Sequence, residues 1–187
     1  MLKLLLIFYF LFSFSQITFG SLSTVILENG KENYEIGLNL EFLEDPTGKL
    51  TIESINDPKW VSKFIKSKDK TLNFGFTNST FWIRFIVINN SDEESWFISQ
   101  NSANTERIEL FKKNNRKWKS LSTGTRKSIK TREIKDKGFL FKIKPKGKTQ
   151  YFLKVKTTLP IIDFKIYSPS YLVEKRSREN LISGLFY

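Results

Sequence analysis

The chain contains no cysteine and no histidine. Without cysteine there is no disulfide framework, no thiolate nucleophile and no thiolate-ligated metal. Without histidine the Ser-His-Asp and Cys-His arrangements and the common zinc sites are excluded as well. What remains for catalysis is carboxylate, lysine, tyrosine or Ser-Lys chemistry, and no cofactor is expected. Acidic residues are also scarce, with 19 Asp+Glu against 31 Lys+Arg and a net charge of +12. Such a field favours anionic surfaces and polyanions. No internal repeat and no low-complexity linker interrupts the 187 residues, a length that suits one main domain with a core needing neither metal nor staples.

The N-terminus is organised for export. Met1-Leu2-Lys3 supplies a positive start, Leu4 to Phe14 is apolar apart from Ser13, and Thr18-Phe19-Gly20 ends on a small residue. That is the layout of a secretory signal peptide, and the apolar run is shorter than the roughly 20 residues of a full span. We therefore expect a leader over 1–20, a folded domain over 24–169 and a helical segment over 170–187.

Between them, short β-branched and aromatic runs recur at roughly ten-residue spacing, including Thr24–Leu27, Tyr34–Phe42, Leu50–Ile52, Leu72–Phe76, Phe81–Ile88, Trp96–Ser99, Arg107–Phe111, Trp118–Leu121, Phe139–Ile143, Tyr151–Val155 and Ile162–Tyr167. Turn chemistry separates them, as in Asn89-Asn90-Ser91-Asp92, Asn114-Asn115 and Pro145-Lys146-Gly147. This pattern predicts an all-β, two-sheet antiparallel sandwich of about eight or nine strands. Glu44-Asp45-Pro46-Thr47-Gly48 reads as a tight turn, with Pro presetting φ and Gly accepting a positive one. Asp57-Pro58 reads as the N-cap and first position of a single helical turn near Trp60. Alternation through Tyr151–Lys156 sends Tyr151, Leu153 and Val155 to the core and Phe152, Lys154 and Lys156 to solvent. A lysine-rich solvated face of this kind makes the basicity weak evidence for nucleic acid, and none is expected as a partner.

Five segments, in order, carry a resemblance. Gly37-Leu38 with Glu44-Asp45-Pro46-Thr47-Gly48-Lys49-Leu50, the aromatic Phe64, Phe81-Trp82-Ile83-Arg84, the Asn101–Phe111 stretch, and Gly124 followed by Arg126 and Arg132 ahead of Phe139-Leu140-Phe141 resemble the second type of extracellular sensor domain in bacterial seven-transmembrane receptors with diverse intracellular signalling modules. The match runs from about Tyr34 to Tyr187. It implies a jelly-roll-like sandwich similar to carbohydrate-binding modules, a place in the periplasm or on the outer surface of a bacterium, and the sensing of small ligands such as sugars. In the resembled family the segment after residue 170 leads into the first membrane span. A chain that derives from, or is a piece of, a longer receptor is the corresponding expectation.

Trp82 and Arg84 lie two apart on one strand and share a face, opposite Phe81, Ile83, Phe85 and Val87. An aromatic plate beside a guanidinium can hold a sugar, the ring stacking on C–H groups and the arginine donating to hydroxyls or a carboxylate. The same pair can equally be structural, Trp82 packing under a loop and Arg84 pairing with Glu44 or Asp45. Arg132, approaching from the loop before Phe139, is the third candidate ligand contact and is open to both readings. Asp92-Glu93-Glu94, following Asn89-Asn90-Ser91, reads as a solvated hairpin tip, and adjacent carboxylates in one loop do not supply the facing pair that glycosidase chemistry requires. The expected function is an exported, non-catalytic sensing domain that takes a small molecule or carbohydrate and works with a membrane receptor. A secreted basic adhesin for acidic polysaccharide or glycosaminoglycan is the alternative.

Overall fold

Strands that bury both faces need apolar residues at every position, and Thr80–Asn89 is such a strand, buried from Thr80 through Val87. The computed structural model builds two layers around it and describes residues 24–184, apart from 103, 115, 116, 133 and 135. The expected leader lies outside the described residues.

In chain order the elements are β1 (Thr24–Leu27), β2 (Asn33–Glu35), a 3-10 turn (Gly37–Asn39), β3 (Glu41–Asp45), α1 (Ile52–Ile55), α2 (Pro58–Val61), β4 (Ile65–Lys66), β5 (Leu72–Asn73), β6 (Thr80–Asn89) and β7 (Trp96–Gln100). They continue as β8 (Arg107–Asn114), β9 (Lys117–Thr123), a 3-10 turn (Ile129–Thr131), β10 (Phe139–Ile143), β11 (Lys148–Lys156), β12 (Ile161–Ile162), β13 (Phe164–Tyr167) and α3 (Pro169–Gly184). The large sheet runs β4-β3-β6-β11-β8-β9, the smaller one β10-β7-β13-β2, and β12 pairs with β5. One edge of β6 is shared: β3 pairs antiparallel with Thr80–Arg84, and β1 pairs with Ile86–Asn89 in the one parallel pairing among the described residues.

The expected antiparallel sandwich is therefore present. Its main core lies between the sheets, where Phe81, Ile83, Phe85 and Val87 of β6 and Tyr151, Leu153 and Val155 of β11 meet Trp96, Ile98, Phe139, Phe141, Phe164 and Ile166. The strand count exceeds eight or nine because the Tyr34–Phe42 run is split by a 3-10 turn into β2 and β3, the Ile162–Tyr167 run is split into β12 and β13, and the two-residue β4 is too short to show an alternation.

Three local expectations need correction. Leu50–Ile52 is not a strand. Thr51 caps α1 by accepting from Ser54 N while Ser54 Oγ accepts from Thr51 N at 2.8 Å, a reciprocal capping box that starts a helical turn. Asp92-Glu93-Glu94 is exposed as expected, but it is not a hairpin tip, because β6 and β7 belong to different sheets and the loop arches between them. Phe152, expected at solvent, is 1% exposed. It belongs to a second cluster on the outer face of the large sheet, with Leu43, Ile52, Ile55, Trp82 and Phe111, flanked by Trp60, Phe64 and Trp118.

The helical turn near Trp60 is α2, with Asp57 accepting from Lys59 N at 2.9 Å and Pro58 at its first position. On the opposite side of the molecule, α3 contributes Leu172 and Tyr171 to a third cluster with Phe97, Leu140 and Tyr167 of the smaller sheet. Among the described residues no helix is long and apolar enough to cross a membrane.

Candidate functional site

Register across the large sheet arranges its outer face in rows, because directly paired residues project to the same side. Glu41, Arg84, Phe152 and Phe111 form one row. Leu43, Trp82, Lys154 and Glu109 form the next, and Asp45, Thr80, Lys156 and Arg107 the third.

The first row lies under the layer made by α1, α2 and Phe64. Arg84 is 8% and Glu41 7% exposed. The Arg84 Nε and Nη2 donate to Glu41 Oε2 at 2.7 and 2.5 Å, and the Phe64 ring lies 4.0 Å from the guanidinium carbon. The structural partner of Arg84 is thus Glu41, the residue opposite it on β3, rather than Glu44 or Asp45. Glu44 accepts from Ser79 Oγ at 2.6 Å. Asp45 holds its own turn: Oδ1 accepts from Gly48 N at 2.9 Å and Thr47 Oγ1 at 2.7 Å, and Oδ2 from Leu50 N at 2.9 Å. Trp82 is fully buried, tilted against Phe111 at 5.3 Å, and its indole N–H makes no hydrogen bond within the described structure.

Beyond Trp82 the cover ends. Lys154 and Glu109 of the second row and Thr80, Lys156 and Arg107 of the third border a concavity of about 310 Å³. Thr47, Gly48 and Asn78 complete its lining, which holds three cations, Arg107, Lys154 and Lys156, and one carboxylate, Glu109. Lys154 Nζ sits 4.9 Å from the Trp82 ring centroid and donates to Leu50 O at 2.8 Å. Partial burial pulls its pKa below the ordinary lysine value and Arg107 adds to this, while Asp45 and Glu109 oppose it. Lys156 Nζ donates to the Asn78 carbonyl. Arg107 Nη2 lies 3.5 Å from Glu109 Oε2. Chemically this is a small, open cationic groove with a buried indole beneath one of its amines.

Arg132 lies elsewhere. It stacks on Phe139 of the smaller sheet at 4.8 Å and donates from Nη1 to Asp136 O at 2.7 Å. Asp136 in turn pairs with Arg176 of α3 at 3.0 Å. The structure keeps Trp82 and Arg84 together on one outer face and does not bring Arg132 to them. None of the residues lining the groove, Lys154, Lys156, Arg107, Thr80, Glu109 and Asn78 among them, is singled out from the sequence as a ligand contact. The two lysines stood in view as an alternating pair, but nothing in their own strand says that Arg107 lies opposite Lys156.

What the geometry defines is a β-sandwich domain with one outer face half-covered by helical turns and half-open as a charged groove. A family model, 7TMR-DISM extracellular 2, matches residues 37–167, and the chain belongs to that family. Its members are extracellular domains of seven-transmembrane receptors, so the sandwich works outside the membrane. No curated protein matches the chain.

Proposed function

We propose that the chain is the non-catalytic ligand-sensing module of a receptor of this type, and that it takes a small molecule or carbohydrate in the groove of the large sheet. The observation that carries this reading is the open groove at rows two and three, a concavity at the small end of the size range of ligand pockets. In this reading Trp82 and Arg84 act from beneath, Trp82 as the floor under Lys154 and Arg84 as the anchor that keeps the covering layer in place. Arg132 acts at a distance, joining the loop before β10 to α3 through Asp136, on the helix that in the resembled receptors leads toward the membrane.

The test is a thermal-shift screen of the exported chain against sugars, sugar acids and small organic anions. A true ligand at about 100 times its Kd adds about 2.7 kcal/mol, or roughly 5–10 °C of Tm for a domain of this size. Lys156→Ala should at least halve that shift, the effect of a roughly tenfold loss of affinity, while leaving the unliganded Tm within about a degree. Shifts that survive Lys156→Ala unchanged would place the ligand outside the groove.

A further inference from the structure

We infer that the groove selects an acidic sugar: a hydroxylated ring carrying a carboxylate, gripped by Arg107, Lys154 and Lys156. This rests on the sensing role proposed above and names the ligand class for that site. Three cations from two neighbouring strands converge there because Lys156 is registered opposite Arg107 on one side and Thr80 on the other. Each ammonium has three donors. Lys154 directs hydrogen bonds to the Leu50 and Gly48 carbonyls and Lys156 to the Asn78 carbonyl, and neither lysine joins a salt bridge among the described residues.

The carboxylates nearby offset this charge only in part, since Glu109 alone among them lines the groove, while Asp45 and Glu106 act on Lys154 and Lys156 from beside it. Glu109 is engaged with Arg107 at 3.5 Å. Asp45 has both oxygens committed to the Thr47, Gly48 and Leu50 donors of its turn. The groove therefore holds an excess of positive charge in a concave, partly desolvated place, where an anion is bound more strongly than on an open surface.

The remaining lining decides between a bare anion and a sugar acid. Glu109 accepts hydrogen bonds and repels a compact dianion such as phosphate, yet suits ring hydroxyls. Asn78 and Thr80 add an amide and a hydroxyl that donate and accept in the same way, whereas the Thr47 hydroxyl is already given to Asp45. A uronate offers both halves: a carboxylate for the cations and adjacent hydroxyls for Glu109 and Asn78.

The experiment is calorimetric titration of the exported chain at fixed ionic strength with glucuronate, galacturonate, glucose, galactose, inorganic phosphate and short uronate oligomers. At least one uronate should bind ten times more tightly than its neutral counterpart and than phosphate. Lys156→Gln and Arg107→Gln should each weaken it at least tenfold without lowering Tm, whereas Lys144→Gln, outside the groove, should leave it unchanged. Equal affinity for monomer and oligomer identifies a free sugar acid as the source, and a large gain with length identifies an acidic polysaccharide; both outcomes uphold the inference. Neutral sugars binding as tightly as uronates, or uronate binding untouched by both groove variants, overturns it. If a neutral ligand binds and Lys156→Gln abolishes that binding, the sensing role stands and only the acidic class falls. A chain that binds no member of the wider thermal-shift screen loses the sensing role itself.

Discussion

Replacing Arg84 by alanine leaves Glu41 as an unpaired carboxylate beneath the α1–α2 layer. Both residues are more than nine-tenths buried, and Nε and Nη2 meet a single carboxylate oxygen at 2.7 and 2.5 Å. Removing one partner of a buried pair costs about 3–5 kcal/mol, because the surviving charge has lost both water and its counter-ion. For a domain of this size that is a Tm loss of about 6–20 °C. The Phe64 ring at 4.0 Å adds a smaller cation–π loss, on the order of 1 kcal/mol. Taking out both charges with apolar side chains of similar length, as in Arg84→Met with Glu41→Leu, should recover most of the loss, since no buried charge is left over. Urea unfolding of the wild type, both singles and the double closes the cycle. A cost below about 1 kcal/mol for Arg84→Ala, the value of an exposed pair, would refute the argument. So would a double variant as unstable as the sum of its singles.

Two further predictions concern close packing and pH. A Cβ on Gly37 would lie 1.8 Å from the Lys70 carbonyl oxygen, and one on Gly124, at φ +147°, would lie 2.1 Å from that of Glu106. Gly37→Ala and Gly124→Ala should each cost at least about 3 kcal/mol, the upper end of overpacking effects, read as a fall in the urea midpoint. Hydrogen bonding from Lys165 holds the Glu35 carboxyl, and hydrogen bonding from Thr158 that of Glu106, below the ordinary value of 4.5. The unfolded chain then binds protons more readily than the folded one, so stability should fall as pH drops from about 5. Burial pushes the Tyr151 phenol above its ordinary value of 10.0, so stability should fall again as pH rises past that point. Urea midpoints measured from pH 3 to 11 check both limbs, and a Glu106→Gln variant should show a shallower acid limb.

Some of this was legible before any fold was known. Absences of cysteine and histidine narrow the chemistry regardless of structure, because no arrangement of other residues supplies a thiolate or an imidazole. Two-residue alternation in Phe139–Ile143 and Tyr151–Val155 reports strands directly, since one face of each must enter a core. Asp57-Pro58 predicts a helical turn because its capping hydrogen bond is made within three residues. Thr51 and Ser54 carried an equally local signal, but the apolar run from Leu50 to Ile52 concealed it.

The outer face of the large sheet is another matter. Whether Phe152, Trp82 and Lys154 meet water depends on the chain between residues 50 and 64 folding back over them, and no strand records what will cover it. Arg84 finds Glu41 and Lys156 finds Arg107 only through β-pairing between segments 43 and 49 residues apart. Such partners are chosen by register, which is settled by the burial of whole strands at once. Periodicity within one strand tells which residues share a side; only the assembled sheets decide whether that side is closed as a core or open as a groove.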